Sequence, residues 1–337
     1  MRTLLVGPGA IGGTVAAFAA EAGFDFDVLG KPEEAAYLAE NDFVLTGVKG
    51  EHRARLRTFG SMDELAGEYD CVLIATKAQA MPNVARAFLP RLREDSLVLG
   101  LQNGITTEMM SEVVGKERTV SCMIGIGATA KGIGKAELTS GGHFIIGQAV
   151  PGGQNGDKLE YLRSFLDAVQ PTTISGNILS GLYSKLVFNA CVNALCALSG
   201  MTLGVLLDDK KARRAFLSIA REGMTVAGKL GLEVPPFMKI LDYNLLMKHQ
   251  SKAADALFGT LFQIIGKVRI GKVHPSTLQS LERGEITEID YLNGYFLKRG
   301  AEVGVECPLN AQIIAMIHEI EQGKRSMGLA NIAELTL

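Results

Sequence analysis

The chain has 337 residues, more than one hydrophobic core comfortably serves, so two domains are expected. Hydrophobic residues make up 47%, charged residues 21%, and the formal net charge is -2, which excludes steering by bulk charge toward nucleic acid or an anionic membrane and fits a soluble enzyme. Five cysteines (Cys71, Cys122, Cys191, Cys196, Cys307) without a C-x-x-C pair read as reduced, packed thiols of a cytoplasmic protein, not as a disulfide framework. No charged-then-apolar leader opens the sequence and no apolar run of about 18 residues goes unbroken, so neither export nor a membrane span is expected.

The first half alternates β-rich runs with helical segments. RTLLVG is followed by a helix from about Ile11 to Ala22, then by FDFDVLG, DFVLTG, DCVLIAT, a helix and SLVLGLQNG. This alternation predicts an α/β domain with a doubly wound parallel sheet. After Thr119, Gly-rich pieces predict extra strands and turns at the sheet edge, and PGGQNG predicts a loop. From about Asn177 onward the reading is helical, with helices over 179–199, 207–230, 235–248, 250–267, 287–303 and 308–322. The division is expected as 1–176 and 177–337, and the last dozen residues read as a weakly held tail.

Gly7, Pro8, Gly9, Ala10, Ile11 and Gly12 spell G-x-G-x-x-G between an apolar strand and a helix that opens with small residues. There the glycines permit a tight turn, close approach of a pyrophosphate and close packing of helix on strand, while the helix N-terminus offers free N–H groups. A dinucleotide site is the reading, with Pro8 removing one donor. At the exit of the second strand an acid favours NAD and a base favours NADP. The chain has VLGK there, with Asp27 inside the strand and Lys31 at its exit, so NADP(H) is expected. Lys77, ending LIATK, and Asn103, in LGLQNG, fall on the same sheet edge and are either cofactor contacts or an ordinary solvated lysine and an Asn-Gly turn.

Lys185, Asn189 and Asn193 recur every four residues in SGLYSKLVFNACVNALCALSG. Four residues advance a helix by about 400°, so one cation and two amides share a stripe over roughly two turns. Buried polar groups need partners, so the stripe faces either a substrate or complementary groups of the fold. Ser276 and Glu288 stand twelve residues apart in HPSTLQSLERGEITEIDYLNG, and Thr287 to Asp290 resembles a capping box at a helix start. His52, His143, His249, His274 and His318 show no metal-ligand spacing, and no metal is expected.

GPGAIGG, TKAQ with LQNG, K-x-x-x-N-x-x-x-N at 185–193, and P-S-T-L-Q followed by T-E-I-D-x-x-N-G together resemble the ketopantoate reductase (2-dehydropantoate 2-reductase) family over nearly the whole chain. The resemblance implies a Rossmann domain joined to an all-α domain like that of 6-phosphogluconate dehydrogenase, with substrate closed between them. The implied activity is NADPH-dependent reduction of ketopantoate to pantoate, a step toward pantothenate and coenzyme A. By the same resemblance Lys185 corresponds to the proton donor, Asn189 and Asn193 to substrate-binding amides, and Ser276 to the start of the carboxylate site. Glu288 corresponds to the acid beside the nicotinamide and the substrate hydroxyl. Lys77 and Asn103 correspond to cofactor contacts, with Asn103 also near the reacting ketone, and Ala128 to a cofactor-lining backbone position. A homodimer through the helical domain is a further expectation. The sequence departs from the family at SGMTLGVLL, where some members carry a further substrate-binding Asn and Thr202 is the available polar group, and in an added amphipathic stretch over 240–270. A reductase of another 2-keto acid or of an imine, or a non-catalytic NADP-binding sensor, are the competing readings.

Overall fold

The computed structural model describes residues 1–150, 156–238, 240–269, 271 and 274–337. The expected PGGQNG loop lies, apart from Gly156, outside the described residues. Two compact units divide the chain, Met1–Leu179 and Ser180–Leu337.

The first unit begins with β1 (Thr3–Val6), α1 (Ala10–Glu21), β2 (Asp27–Leu29), α2 (Pro32–Glu40), β3 (Phe43–Gly47), β4 (His52–Ala54), β5 (Thr58–Phe59) and β6 (Tyr69–Ile74). It continues with α3 (Met81–Phe88), β7 (Leu92–Gly100), α4 (Thr107–Val114), β8 (Thr119–Met123), β9 (Gly127–Gly132), β10 (Lys135–Ser140), β11 (Phe144–Gln148), α5 (Gly156–Asp167) and β12 (Thr172–Ile174). An eight-stranded sheet runs β12-β11-β8-β7-β6-β1-β2-β5. From β5 to β8 every pairing is parallel, and β11 then turns antiparallel to β8. The strand alternation of β1 puts Leu5 in one core, with Val15, Phe18, Phe144 and Phe165, and Leu4 and Val6 in the other, with Val72, Met81, Phe88 and Met110. Both faces of the sheet are therefore covered, as a parallel sheet requires.

DFVLTG does not join this sheet. β3 pairs with β4 and β10 in a second sheet of order β4-β3-β10-β9, and the short β5 takes the place beyond β2. The physical reason lies in α1, which is buried from Gly12 through Ala19 and so needs cover on the side away from the main sheet. A Cβ on Gly13 would lie 2.1 Å from the Phe43 ring, so the second of the paired glycines makes room for the anchor of β3. The Gly-rich segment after Thr119 likewise divides. β8 lies inside the main sheet between β7 and β11, while β9 and β10 form the hairpin of the second sheet around Gly132 and Gly134, both at positive φ.

The second unit is helical: α6 (Ile178–Ser199), α7 (Leu203–Leu206), α8 (Lys210–Lys229), α9 (Tyr243–Lys248), α10 (Lys252–Arg269), α11 (Ser276–Glu282), α12 (Ile289–Val303), α13 (Pro308–Glu321) and α14 (Leu329–Glu334). Helix α6 is long and apolar enough to cross a membrane, yet 83% of its most apolar window is buried inside the protein, which marks it as a core helix. The helix expected over 207–230 starts afresh at Asp209, whose side chain accepts from Ala212 N at 2.7 Å. The helix expected over 235–248 is confined to α9. Pro235 and Pro236 precede an antiparallel bridge between Phe237 and Leu241, and Asp242 caps α9 through Asn244 N at 2.9 Å.

The chain end is held, contrary to the weakly held tail that its sequence suggests. Asn331, 4% exposed, donates to Leu198 O at 2.8 Å and so satisfies a carbonyl in the last turn of α6. Arg325 joins Glu319, Asn331 and Glu334 at 2.6–2.9 Å, and Ile332 and Leu335 are buried.

Candidate active site

The main sheet places a topological switch between β1 and β6, since the chain leaves β1 toward β2 and returns to pair β6 on the other side. Ligands of open α/β sheets bind outside the carboxyl ends of strands at such a point. Gly7 sits there with φ +88°, its N–H donating to Leu29 O at 2.8 Å. A Cβ on Gly12 would lie 2.1 Å from Gly7 O and 2.8 Å from Ala75 Cβ, so only glycine lets α1 close on the loop and on β6. Gly9 is exposed, with nothing within 4 Å of its would-be Cβ. That open ground, at the first turn of a twelve-residue helix without acidic residues in that turn, fits a pyrophosphate. Thr76 Oγ1, at the exit of β6, is buried without a hydrogen-bond partner in the protein. Pro8, Ala10 and Ile11 complete the loop and the start of α1.

Lys31 is exposed just past β2 and precedes α2, where its own N–H donates to Glu34 Oε2 at 2.8 Å. The same carboxylate oxygen lies 3.1 Å from where a Cβ of Gly30 would stand. No acid stands at the strand's end in the sequence, yet helical geometry returns Glu34 to that end from one turn further on. Asp27, by contrast, sits at the opposite end of β2, buried and bonded to Arg57 at 2.5 Å and Tyr69 at 2.8 Å. It is consumed by the fold. Lys77 is exposed beyond β6 and Asn103 half-buried beyond β7. Buried Gln102 ties these exits together, donating to Ile74 O at 2.7 Å and Thr76 O at 3.0 Å, a role the sequence did not disclose. Ala128 lies on β9 opposite Leu138 in the second sheet.

In the second unit, α6 carries the Lys185, Asn189 and Asn193 ladder. From Gly181 to Ser199, every residue is buried except Gly181, Lys185, Phe188 and Asn189. These stand at i, i+4, i+7 and i+8, one face of a helix. Asn193 is 5% exposed, and its Oδ1 accepts from Ser276 Oγ at 3.3 Å and Thr277 N at 3.4 Å. The structure thus joins Asn193 to Ser276, the exposed first residue of α11, while the accessible face of α6 presents one cation, one amide and one aromatic ring.

Glu288 is half-buried and directly precedes α12. The capping box suggested by the sequence is absent; Thr287 Oγ1 accepts from Ile289 N at 3.2 Å and no side chain caps from Glu288. Helix α12 is fixed to α6 by fully buried Asn293, which donates to Ala190 O at 3.1 Å and to Asn310 Oδ1 at 2.8 Å. Asn310 in turn donates to Glu222 at 2.6 Å, and Glu222 accepts from the N–H groups of Leu309 and Asn310 at the start of α13. Four helices are thereby knitted by one polar chain, whose members read in the sequence as isolated polar residues.

Beside Glu288, the Thr287 N–H donates to Glu321 Oε1 at 2.8 Å, and His318 bridges Glu321 at 2.7 Å and Asp290 at 3.1 Å. The bond to Glu321 raises the His318 pKa against burial, with Asp290 adding to the rise. Burial pushes the Glu321 carboxyl up, but the bonds from His318 and Thr287 outweigh it and leave it lowered. A raised histidine stabilises the fold below its unfolded value of about 6.5 and loses that contribution as pH climbs through its folded value. A lowered glutamate contributes above about 4.3 and loses it as pH falls. Stability from this pair should therefore peak near pH 5–6, and His318→Gln should flatten the decline above about pH 6.5 in urea-unfolding midpoints measured across pH. An unchanged alkaline slope would count against the pair.

Burial pushes the thiols of Cys71, Cys196 and Cys307 up to about 12 and that of Cys191 well above its ordinary value, so these four cysteines are packing groups, not nucleophiles. Among the described residues no group of three or more His, Cys, Asp and Glu gathers to hold a metal.

Residues 3–151 match the family described as "Ketopantoate reductase PanE/ApbA", and residues 177–321 match its "C terminal" companion. The chain belongs to the ketopantoate reductase family. Among the family's curated proteins, the 2-dehydropantoate 2-reductase of Aquifex aeolicus is 26% identical over 94% of this chain and 96% of its own length. That of Pyrococcus horikoshii is 24% identical over 97% and 99%. An uncharacterized oxidoreductase of Bacillus subtilis, YkpB, is 23% identical over 96% and 100%. Of solved structures, a PanE/ApbA family ketopantoate reductase from Ralstonia eutropha superposes with a TM-score of 0.79 at 22% identity, covering 97% of this chain and 100% of that one. A D-mandelate dehydrogenase solved with NADH and anilino(oxo)acetate gives 0.80 at 20% identity, covering 96% and 99%. The fold is thus that of the ketopantoate reductases: a mixed, largely parallel sheet with helices, followed by a helical half.

Proposed function

We propose that this oxidoreductase uses NADPH to reduce a 2-keto acid, ketopantoate among them, to the corresponding 2-hydroxy acid in the cytoplasm. The observation that carries the reading is the accessible face of α6, where Lys185 and Asn189 stand one turn apart on an otherwise buried helix, in a chain that also holds a glycine loop shaped for pyrophosphate. When bound, the nucleotide supplies a hydride to C2 of the keto acid. The ketone oxygen takes its proton from the Lys185 ammonium, which also stabilises the developing alkoxide, a general-acid contribution of about 10²–10⁴ in rate. Asn189 offers both a donor and an acceptor to the substrate, Ser276 a hydroxyl to its carboxylate, and Glu288 an acceptor for the product hydroxyl. Asn193 supports Ser276 from beneath through the bond they share. Gly7, Pro8, Gly9, Ala10, Ile11 and Gly12 hold the pyrophosphate, with Lys77, Asn103 and the backbone at Ala128 lining the rest of the cofactor site. The names of the Aquifex and Pyrococcus relatives support ketopantoate as a substrate. A Staphylococcus aureus ketopantoate reductase described as dimeric, with a TM-score of 0.73 at 17% identity, supports a homodimer.

The test is to incubate the protein with ketopantoate and NADPH and to identify pantoate formed in step with NADPH oxidation. Nucleotide binding without reduction of any 2-keto acid would overturn the reading in favour of a sensor.

Lys31 supports NADPH, and Glu34 opposes it, because its carboxylate stands beside Gly30 at the exit of β2. A 2′-phosphate beside that carboxylate is disfavoured by like charge. Lys31→Ala should therefore lower the ratio of kcat/KM for NADPH over NADH, and Glu34→Gln should raise it, each by about tenfold for a charge contact worth about 1.4 kcal/mol. If both variants leave the ratio unchanged, neither residue borders the ribose.

A further inference from the structure

The described residues between Pro235 and Leu241 lie within the second unit, join no helix, and are fixed against α6 at two points one turn apart. Ser184 Oγ donates to Pro235 O at 2.7 Å, and the Phe237 ring stacks on Phe188 with centroids 4.6 Å apart and planes 22° from parallel. Phe237 and Leu241 exchange backbone hydrogen bonds at 2.9 and 3.0 Å, and Met238 between them has φ +52°, a conformation that non-glycine side chains seldom adopt. The turn holds this shape although a glycine would take it more easily. Its most evident product is the position of Phe237.

Phe188 lies one turn beyond Lys185 and next to Asn189, on the accessible stripe of α6. It is the one apolar side chain on that stripe between Gly181 and Ser199, and its stacking partner Phe237 is also half-buried. Asn193, the second amide that the sequence offers to a substrate hydroxyl, is buried and has its oxygen occupied by Ser276 and Thr277. The surface beside the cation therefore has one amide and a pair of aromatic faces, better matched to carbon than to a hydroxyl.

Building on the 2-keto acid reductase reading, we propose that Phe188 and Phe237 form the wall for the substrate's side chain. The preferred substrate is then a 2-keto acid with a large apolar, above all aryl, group. The chemistry at C2 is unchanged: hydride from the reduced nucleotide forms the C–H bond, the carbonyl π pair becomes the alkoxide pair, and Lys185 gives that oxygen its proton. Phe188 and Phe237 act on selectivity through contact with the side chain.

The test compares kcat/KM for phenylpyruvate, ketopantoate and pyruvate in the unmodified protein, in Phe237→Ala and in Phe188→Leu, with thermal unfolding as the check on folding. The expected result is that phenylpyruvate exceeds both others by about tenfold or more, and that each variant lowers this advantage about tenfold, mainly through KM, as side-chain recognition in an apolar pocket does. Ketopantoate or pyruvate matching phenylpyruvate in the unmodified protein overturns the proposal, whether or not the variants fold. So does an advantage that survives in both folded variants, which would leave the stack as an anchor of the turn alone. If none of the three acids is reduced with NADPH or NADH, the reductase reading itself fails and this proposal with it, an outcome distinct from reduction without preference.

Discussion

Lys185→Ala should lower kcat by at least about 10²-fold while leaving the dissociation constant for NADPH unchanged. The two effects separate because the lysine stands on α6 in the second unit, whereas the glycine loop belongs to the first. Hydride arriving at C2 leaves charge on oxygen, and without a proton donor that charge must be relieved by water. Lys185→Arg restores the positive charge but not a readily transferable proton, so it should recover binding of the keto acid more than turnover. Near-normal kcat in Lys185→Ala, with keto acid saturating, would remove the lysine from the chemistry. The side chain is half-buried at the accessible edge of its helix, and alanine is a good helix former, so a folding defect is not expected to obscure the result.

Gly12→Ala and Gly9→Ala form the second large contrast. At Gly12 the added methyl would meet a backbone carbonyl at 2.1 Å, and neither that carbonyl nor the Ala75 methyl at 2.8 Å is the movable end of a flexible chain. Helix α1 must move, at a cost of about 1–3 kcal/mol for overpacking, and the phosphate loop moves with it. Both thermal stability and NADPH affinity should fall, the affinity by about 10²-fold or more if the shift also forfeits the roughly 3 kcal/mol of such a displacement. At Gly9 nothing lies within 4 Å and φ is -81°, which alanine tolerates. Gly9→Ala should therefore keep the unfolding temperature and weaken NADPH alone, because the methyl enters only the open space proposed for the pyrophosphate. Unchanged affinity in Gly9→Ala would mean that the nucleotide does not cross this loop.

Much of this was legible in the sequence because it rests on local rules. The glycine spacing announced the turn, the period of four announced a shared helix face, and strand alternation announced the sheet. What escaped depends on contacts between distant segments. DFVLTG has the composition of any sheet strand, and only the space at Gly13 and the apolar back of α1, which needs cover, send it to a second sheet. The ladder's period predicts that Asn193 shares a face with Lys185, but not that α11 covers it. Glu34 enters the strand exit by folding back over a helical turn, and Phe237 stacks on α6 from a stretch where the sequence suggests a helix. The chain end lacks apolar periodicity, yet Asn331 anchors it through a carbonyl at the end of α6. In each case the decisive partner lies far away in the chain or off the expected element.

The proposed function turns on direct hydride transfer from the bound nucleotide to C2 of a keto acid. Its most direct test is the reduction of ketopantoate or phenylpyruvate with NADPH deuterated at C4 of the nicotinamide, each face labelled separately. Mass spectrometry should find one deuterium at C2 of the hydroxy acid from one labelled face and none from the other, and Lys185→Ala should slow its appearance. Product lacking the label from both faces, or no hydroxy acid at all, would contradict the account.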